Sequence, residues 1–217
     1  ATLCDAVLVT HEHVDHMHPP SYGPLLRGTG ASIYAPETCF AAPDYEGDLR
    51  VPRDRRCSVS PRDAFEVGDL KVHVRGANDP DAVEPVTYVI ESEWGTFIHP
   101  GDSRSTPVFE EIGRSFDVDA GALAFGTAGT FFDPEEGEPR RIEWYMNGDE
   151  VVEAASALEL DRLLPTHHDM WKGFGASPSV LHDHAASSQH PKTIDVIEVG
   201  DRIELGQPGI VPPTYAR

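Results

Sequence analysis

Lysine is scarce in this chain of 217 residues, and basic residues as a group are outnumbered. Only three of the 17 basic residues are Lys, whereas 37 residues are Asp or Glu and the formal net charge is −20. Such an acidic surface repels nucleic-acid phosphates, so we expect no DNA or RNA partner. Acidic excess with little Lys also favours a halophilic protein, because a salt-rich cytoplasm screens the self-repulsion. An ordinary acidic protein is the alternative, and folding measured against KCl distinguishes the two.

Cysteine and long hydrophobic runs are also lacking. The three cysteines are an odd number without a C-x-x-C pair, which favours reduced, mostly structural thiols in the cytoplasm. No run of about 18 apolar residues occurs, so we expect no membrane partner. The first residues lack the layout of a signal peptide and lead almost directly into a strand. We therefore expect one cytoplasmic domain over residues 1–217 that is incomplete at its N-terminus.

A histidine-rich segment stands out near the N-terminus. It follows the apolar run Ala6–Val9, typical of a buried strand, and holds four potential metal ligands within six residues: His11, His13, Asp15 and His16. A strand that ends in a turn aims the first two into one pocket and brings the other two round from the other side. Imidazole nitrogen and carboxylate oxygen suit Zn²⁺, Mn²⁺ or Fe²⁺. The alternative, a surface loop that is His-rich by chance, is disfavoured by this clustering.

Helix and strand patterns mix along the rest of the chain, which predicts an α/β fold. Two prolines close the turn after the histidine-rich segment, and Ser21 is predicted to cap a helix over Tyr22–Arg27. The Gly-, Pro- and Glu-rich residues 126–141 are predicted to form a long loop. Asn147 has the spacing of a capping box, and the helix Gly148–Leu158 is predicted to follow it.

Two further candidate ligands follow other predicted strands. Asp102 comes after an apolar strand, where Gly101 permits a sharp turn, and His167 comes directly after residues 163–166. Taken alone, Asp102 is explained by an Asx-turn and His167 by a capping or buried histidine. A hydrolytic metal site needs ligands that converge from several strand ends, so their presence together with the histidine-rich segment favours ligation.

The H-x-H-x-D-H pattern resembles the signature of the metallo-β-lactamase superfamily. Four stretches in order resemble its L-ascorbate 6-phosphate lactonase branch in particular: Asp5–His16, Val51–Cys57, His99–Ser103 and Pro165–Trp171. This resemblance implies a four-layer αβ/βα sandwich. It also implies strands that precede the H-x-H-x-D-H turn and that this sequence does not contain.

The resemblance also implies a two-metal site that takes one or two divalent ions, Zn²⁺ or Mn²⁺. The first metal is held by His11 and His13, the second by Asp15, His16 and His167, and Asp102 bridges them. The superfamily usually supplies a third His to the first metal, but residues 75–79 contain none, and Asp79 is the weak candidate substitute. One tight and one weak site are therefore expected.

The expected activity is hydrolysis by metal-activated water, and the resemblance implies the opening of a lactone or related ester of a phosphorylated sugar acid. Asp15 also contacts the nucleophile, His168 protonates the leaving group or contacts substrate, and Arg104 contacts an anionic group. A structural or solvated role explains His168 and Arg104 about equally well. The expected partner is a small anionic molecule, and homo-oligomerisation is left open. The alternatives are a phosphodiesterase-type metallohydrolase and a non-catalytic metal-binding fragment.

Overall fold

The computed structural model describes residues 3–41, 51–132, 137–198, 200–205 and 210–211. Five α-helices lie within these ranges: α1 (Pro19–Thr29), α2 (Glu37–Ala41), α3 (Pro107–Ser115), α4 (Gly148–Ala157) and α5 (Leu181–Ala185). The strands in chain order are β1 (Ala6–Leu8), β2 (Ser32–Ala35), β3 (Arg56–Ser58), β4 (Ala64–Val67), β5 (Leu70–Gly76), β6 (Val86–Ser92), β7 (Gly95–His99), β8 (Ala120–Ala124), β9 (Gly129–Phe132), β10 (Pro139–Ile142), β11 (Arg162–Thr166), β12 (Thr193–Ile194), β13 (Arg202–Ile203) and β14 (Ile210–Val211).

Two sheets carry most of the strands. The smaller sheet is parallel and has the order β1-β2-β3. The larger sheet has the order β12-β11-β8-β7-β6-β5-β4 and is mixed: the pairs from β4 to β7 are antiparallel, whereas those from β7 to β12 are parallel. The parallel half is reached through helical connections, as parallel pairing requires.

Alternation along the strands divides the core into layers. Val72, Val74 and Tyr88 on one face of the larger sheet pack with Leu8 and Tyr34 of the smaller sheet. The opposite face of the larger sheet packs against α3, α4 and α5, and the opposite face of the smaller sheet packs against α1 and α2. Successive side chains of a strand point to opposite faces, so apolar residues on both faces of a sheet need a packing partner. Each of the two sheets has one on both sides. The predicted four-layer α/β sandwich is therefore confirmed.

Tyr88 joins the two sheets through its hydroxyl group. The side chain is 1% exposed, and its hydroxyl lies 2.9 Å from the carbonyl oxygen of Val9 and 3.0 Å from that of Tyr34. Burial raises the pKa of this phenol, so the hydroxyl remains a donor. The bond to Val9 holds the end of β1 close to the larger sheet, directly before the histidine-rich segment.

Three local predictions have different outcomes. The capping box is confirmed, since the Asn147 side chain accepts from the backbone N–H of Glu150 and the reciprocal bond is also present. The helix start was wrong: α1 begins at Pro19, because proline is tolerated in a first turn whose N–H groups have no helical partner. Residues 126–141 were not all loop, because β9 and β10 pair there as an antiparallel hairpin.

Candidate metal centre

Four strand ends deliver the candidate ligands to one place. The histidine-rich segment follows β1, Asp79 follows β5, Asp102 follows β7 and His167 follows β11. The segment after β1 turns back on itself, since the N–H groups of His16 and Met17 both donate to the carbonyl oxygen of His13. This turn places the ring centroids of His11 and His16 4.0 Å apart.

The first cluster contains His11, His13 and Asp79, whose ligand atoms all lie within 4.8 Å of one another. Asp79 Oδ2 lies 3.3 Å from His11 Nε2 and 3.7 Å from His13 Nδ1. The other oxygen, Oδ1, accepts from the backbone N–H of Asp81 at 3.0 Å, which fixes the carboxylate. Asp79, the weak candidate substitute for a third histidine, therefore lies beside His11 and His13, and its role as a metal ligand stays a prediction.

The second cluster contains Asp15, His16, Asp102 and His167, again with ligand atoms within 4.8 Å. Asp102 Oδ1 lies 2.9 Å from His167 Nε2 and 3.2 Å from His16 Nε2, and the two imidazole rings stack with an interplanar angle of 2°. His167 has a φ of 62°, which is uncommon for a residue other than glycine. Asp102 belongs to this cluster, and its bridging role stays a prediction.

The electrostatics of the clusters set the protonation states. Burial, and then the neighbouring His16, lower the pKa of His11 to about 3, so this imidazole is neutral. Burial alone would raise the pKa of Asp102, but His16 and His167 together lower it well below its usual range. Burial also acts against protonation of His16, yet the Asp102 carboxylate outweighs it and raises the pKa. The clusters thus offer a neutral imidazole and an ionised carboxylate, which are the forms that bind metals.

Several buried nitrogen and oxygen atoms of the two clusters make no hydrogen bond of regular geometry. Within the described part of the chain these are His11 Nε2, His16 Nε2, Asp79 Oδ2, Asp102 Oδ1 and His167 Nδ1. Buried polar atoms are normally satisfied, and here the exceptions include atoms of both clusters. The nitrogen and oxygen donor sets fit a divalent metal and do not discriminate Zn²⁺ from Mn²⁺.

Thr10 braces both clusters, a role not predicted from the sequence. Its hydroxyl lies 2.9 Å from His11 Nδ1 and 3.4 Å from His16 Nδ1. With Nε2 of His11 turned towards Asp79, the Nδ1 atom is left to bond Thr10, which fixes the ring orientation. Gly101 makes room for this arrangement, because a Cβ atom there would lie 2.6 Å from Thr10 Oγ1.

Two residues that were predicted to contact the substrate, Arg104 and His168, belong to neither of the two clusters. Arg104 pairs with Glu150 at 2.5 Å and also donates to the backbone carbonyl oxygen of Glu143. His168 accepts from the backbone N–H of Ala176 through its own carbonyl oxygen. Neither belongs to the described residues that line the adjoining cavity. Their contacts with substrate stay predictions.

A cavity of about 480 Å³ opens over the two clusters. Both clusters contribute to its lining, through His13, Asp15, Asp79 and Asp102. The other described lining residues are Asp81, Trp144, Tyr145, Trp171, Lys172 and Phe174. The sequence did not predict a role for these side chains, although the adjacent aromatic pair Trp144-Tyr145 before the cap of α4 was a visible signal.

Facing sheets with histidines and carboxylates at their strand ends define a metal-binding protein of the metallo-β-lactamase fold. The family described as "Beta-lactamase superfamily domain" matches residues 2–168, and the chain belongs to this family. Within it, the chain resembles the lactonase branch. The protein named "Probable L-ascorbate-6-phosphate lactonase UlaG" from Escherichia fergusonii is 28% identical over 198 residues. That match covers 82% of this chain and 52% of the relative, so the chain spans about half the length of the curated relatives it matches.

Solved structures support the fold. Igni18, described as a metallo hydrolase from the archaeon Ignicoccus hospitalis, superposes with a TM-score of 0.68 at 17% identity, covering 89% of this chain and 76% of that one. The metallo-beta-lactamase fold protein YhfI from Bacillus subtilis gives 0.62 at 18% identity, with 89% and 74% covered. Among the helices that the structure describes, none has the length and apolar character needed to cross a membrane.

Proposed function

We propose that this chain is a metal-dependent hydrolase that opens a lactone or a related ester of a sugar acid. The observation that carries the proposal is the pair of ligand clusters, which lie side by side in one cavity of about 480 Å³. Volumes of this order hold a small molecule. The curated relatives are named as probable lactonases of L-ascorbate 6-phosphate, which supports the choice of a lactone.

The proposed metal ligands are those of the two clusters, and we propose that Asp102 of the second cluster bridges the two sites. A divalent metal held by these residues would supply positive charge that polarises a substrate carbonyl and acidifies a water molecule near neutral pH. We propose Zn²⁺ or Mn²⁺, in one or two sites. Asp79 gives the first site a carboxylate in place of a neutral imidazole, so the two sites are expected to differ in affinity.

The chain's own residues orient the substrate and the protons. Asp15 lines the cavity, where its carboxylate accepts a hydrogen bond from the attacking water. Burial, and then Asp102 and Asp15, raise the pKa of Tyr145, so its phenol keeps the proton and can donate to a substrate oxygen. Lys172 lines the cavity, and we propose that its ammonium group pairs with one negative charge on a small anionic substrate. His168 and Arg104 remain secondary candidates for leaving-group and anion contacts.

We propose a cytoplasmic location and adaptation to high salt on the basis of composition. The three cysteines form no disulfide, and the net charge is −20. Self-repulsion of this size is relieved by screening, so stability should rise with KCl. Full stability at low salt would remove the halophilic part of the proposal.

A hydrolysis assay tests the proposal. The chain is assayed in high salt with Mn²⁺ or Zn²⁺ against a panel of lactones and against bis-p-nitrophenyl phosphate. Lactone turnover that is abolished in His11→Ala supports the proposal. Turnover of the phosphodiester alone identifies a phosphodiesterase instead, and turnover of neither identifies a non-catalytic metal-binding fragment. Full activity of His11→Ala would contradict the metal site itself.

A further inference from the structure

Four aromatic side chains line the cavity beside the ligand clusters: Trp144, Tyr145, Trp171 and Phe174. We call these four the aromatic wall. Trp144 stacks on Phe174 with ring centroids 4.5 Å apart, and Tyr145 lies against His167 at 5.0 Å. The wall therefore begins at a candidate ligand and continues away from it as a stacked surface.

Backbone hydrogen bonds fix the wall to the chain that leaves β8. The N–H of Gly126 donates to the carbonyl oxygen of Met146 at 3.0 Å, and the N–H of Thr127 donates to that of Phe174 at 2.9 Å. A Cβ atom at Gly129 would lie 2.4 Å from the Phe174 ring, so only glycine admits the ring there. Since β8 pairs with β11, which His167 directly follows, the wall and this candidate ligand share one support.

Charges around the cavity are unfavourable for a phosphate group. Lys172 is the only Lys or Arg among the described lining residues, and the carboxylate of Asp81 lines the same cavity. Arg104 is engaged by Glu150 at 2.5 Å. A phosphate monoester carries between one and two negative charges at neutral pH. Outside the ligand clusters, the described lining residues offer it one cation, Lys172, beside the Asp81 carboxylate, which compensates it incompletely.

We propose that the aromatic wall selects the substrate by stacking on the face of its ring, and that a phosphate monoester of the same ring is a poor substrate. This inference rests on the proposed function and assigns it a substrate class: ring lactones that carry at most one negative charge. A ring stacked on Trp144, which itself stacks on Phe174, buries apolar surface, while its carbonyl points to the ligand clusters. The C–H face of a sugar lactone and the face of an aryl lactone share this chemistry.

Steady-state kinetics with three probes test the inference: a neutral sugar lactone, the phosphate monoester of that lactone, and dihydrocoumarin as an aryl lactone. We expect kcat/KM for the better neutral lactone to exceed that for the phosphate monoester by at least about 10-fold. Trp144→Ala should raise KM for that neutral lactone by about 10-fold and change kcat less, because stacking contributes equally to ground and transition states.

The matched control is Trp94→Ala, which removes a 65% exposed tryptophan from the turn between β6 and β7. It should leave KM unchanged. Trp144→Phe retains an aromatic face and should keep most of the wild-type KM, which separates loss of stacking from misfolding. A phosphate monoester that is turned over as well as the neutral lactone, or a Trp144→Phe variant as impaired as Trp144→Ala, would overturn the inference.

A binding experiment keeps this inference separate from the proposed function. If no lactone is opened, the hydrolase proposal fails, and calorimetric titration with the hydrolysis-resistant lactams of the same rings still tests the wall. Neutral lactams that bind at least about 10-fold more tightly than the phosphorylated lactam, with affinity lost in Trp144→Ala, support the wall. Equal binding of both lactams, or unchanged affinity in the variant, contradicts it.

Discussion

Replacement of Thr10 by Val removes the hydroxyl that braces both ligand clusters while keeping the shape of the side chain. The main loss is the 2.9 Å hydrogen bond between Thr10 Oγ1 and His11 Nδ1. Both residues are buried, and Thr10 is 4% exposed. A buried nitrogen left without its partner costs about 1–3 kcal/mol. For a chain of this length, each kcal/mol lowers the Tm by roughly 2–4 °C. Loss of a group that orients a metal ligand lowers metal affinity by about 10–100-fold.

The assay is a competition titration with a chromophoric chelator, combined with a thermal melt of the metal-free protein. Thr29→Val is the matched control, because the Thr29 hydroxyl donates to Leu25 at 2.8 Å and accepts from Ala31 at the end of α1. We expect both variants to lose stability and only Thr10→Val to lose metal affinity. Equal metal binding by Thr10→Val and the wild-type chain would refute the bracing role.

Three further predictions concern the same centre. Asp79→Ala should weaken metal binding at the first site by more than about 100-fold, measured by equilibrium dialysis, and an unchanged isotherm would exclude Asp79 as a ligand. Burial lowers the pKa of His11 from 6.5 to about 3, so its stability contribution is complete above pH 6.5 and is lost as pH falls towards 3. The urea midpoint of the metal-free chain should therefore fall more steeply between about pH 7 and 5 than that of His11→Gln, and equal slopes would contradict this. Gly101→Ala should be more destabilising in thermal melts than Gly30→Ala: both positions have positive φ, which costs about 1–2 kcal/mol, but only the first Cβ meets Thr10.

Part of the candidate centre could be predicted because the candidate ligands after β1 are close in sequence and obey short-range rules. His11 to His16 fall within one turn after a strand, so spacing alone predicted that they meet. Asp102 and His167 were found by assuming that strand ends converge, and the structure brings both to His16. Asp79 was only a weak candidate, chosen because the family resemblance implies a third histidine there. The structure places it near His11 and His13, and its role as a ligand stays a prediction.

The aromatic wall and the partners of Arg104 lay beyond such rules. Trp144 and Phe174 are separated by thirty positions and meet because each segment bonds to the chain after β8, a pairing without periodicity in the sequence. Arg104 was predicted to contact an anionic group, but its guanidinium pairs with the carboxylate of Glu150, 46 positions away in the sequence. The hairpin of β9 and β10 was hidden by glycine, proline and glutamate, whose composition is typical of loops.

The most direct test of the account is the number of divalent ions bound per chain. Equilibrium dialysis against Zn²⁺ or Mn²⁺, followed by elemental analysis, is carried out on the wild-type chain and on Asp79→Ala and His167→Ala. We expect two ions in the wild-type chain at saturation and one in each variant, because each substitution removes a ligand from a different cluster. A wild-type chain that binds no ion, or variants that bind as many ions as the wild type with unchanged affinity, would contradict the assignment of the two clusters as metal sites.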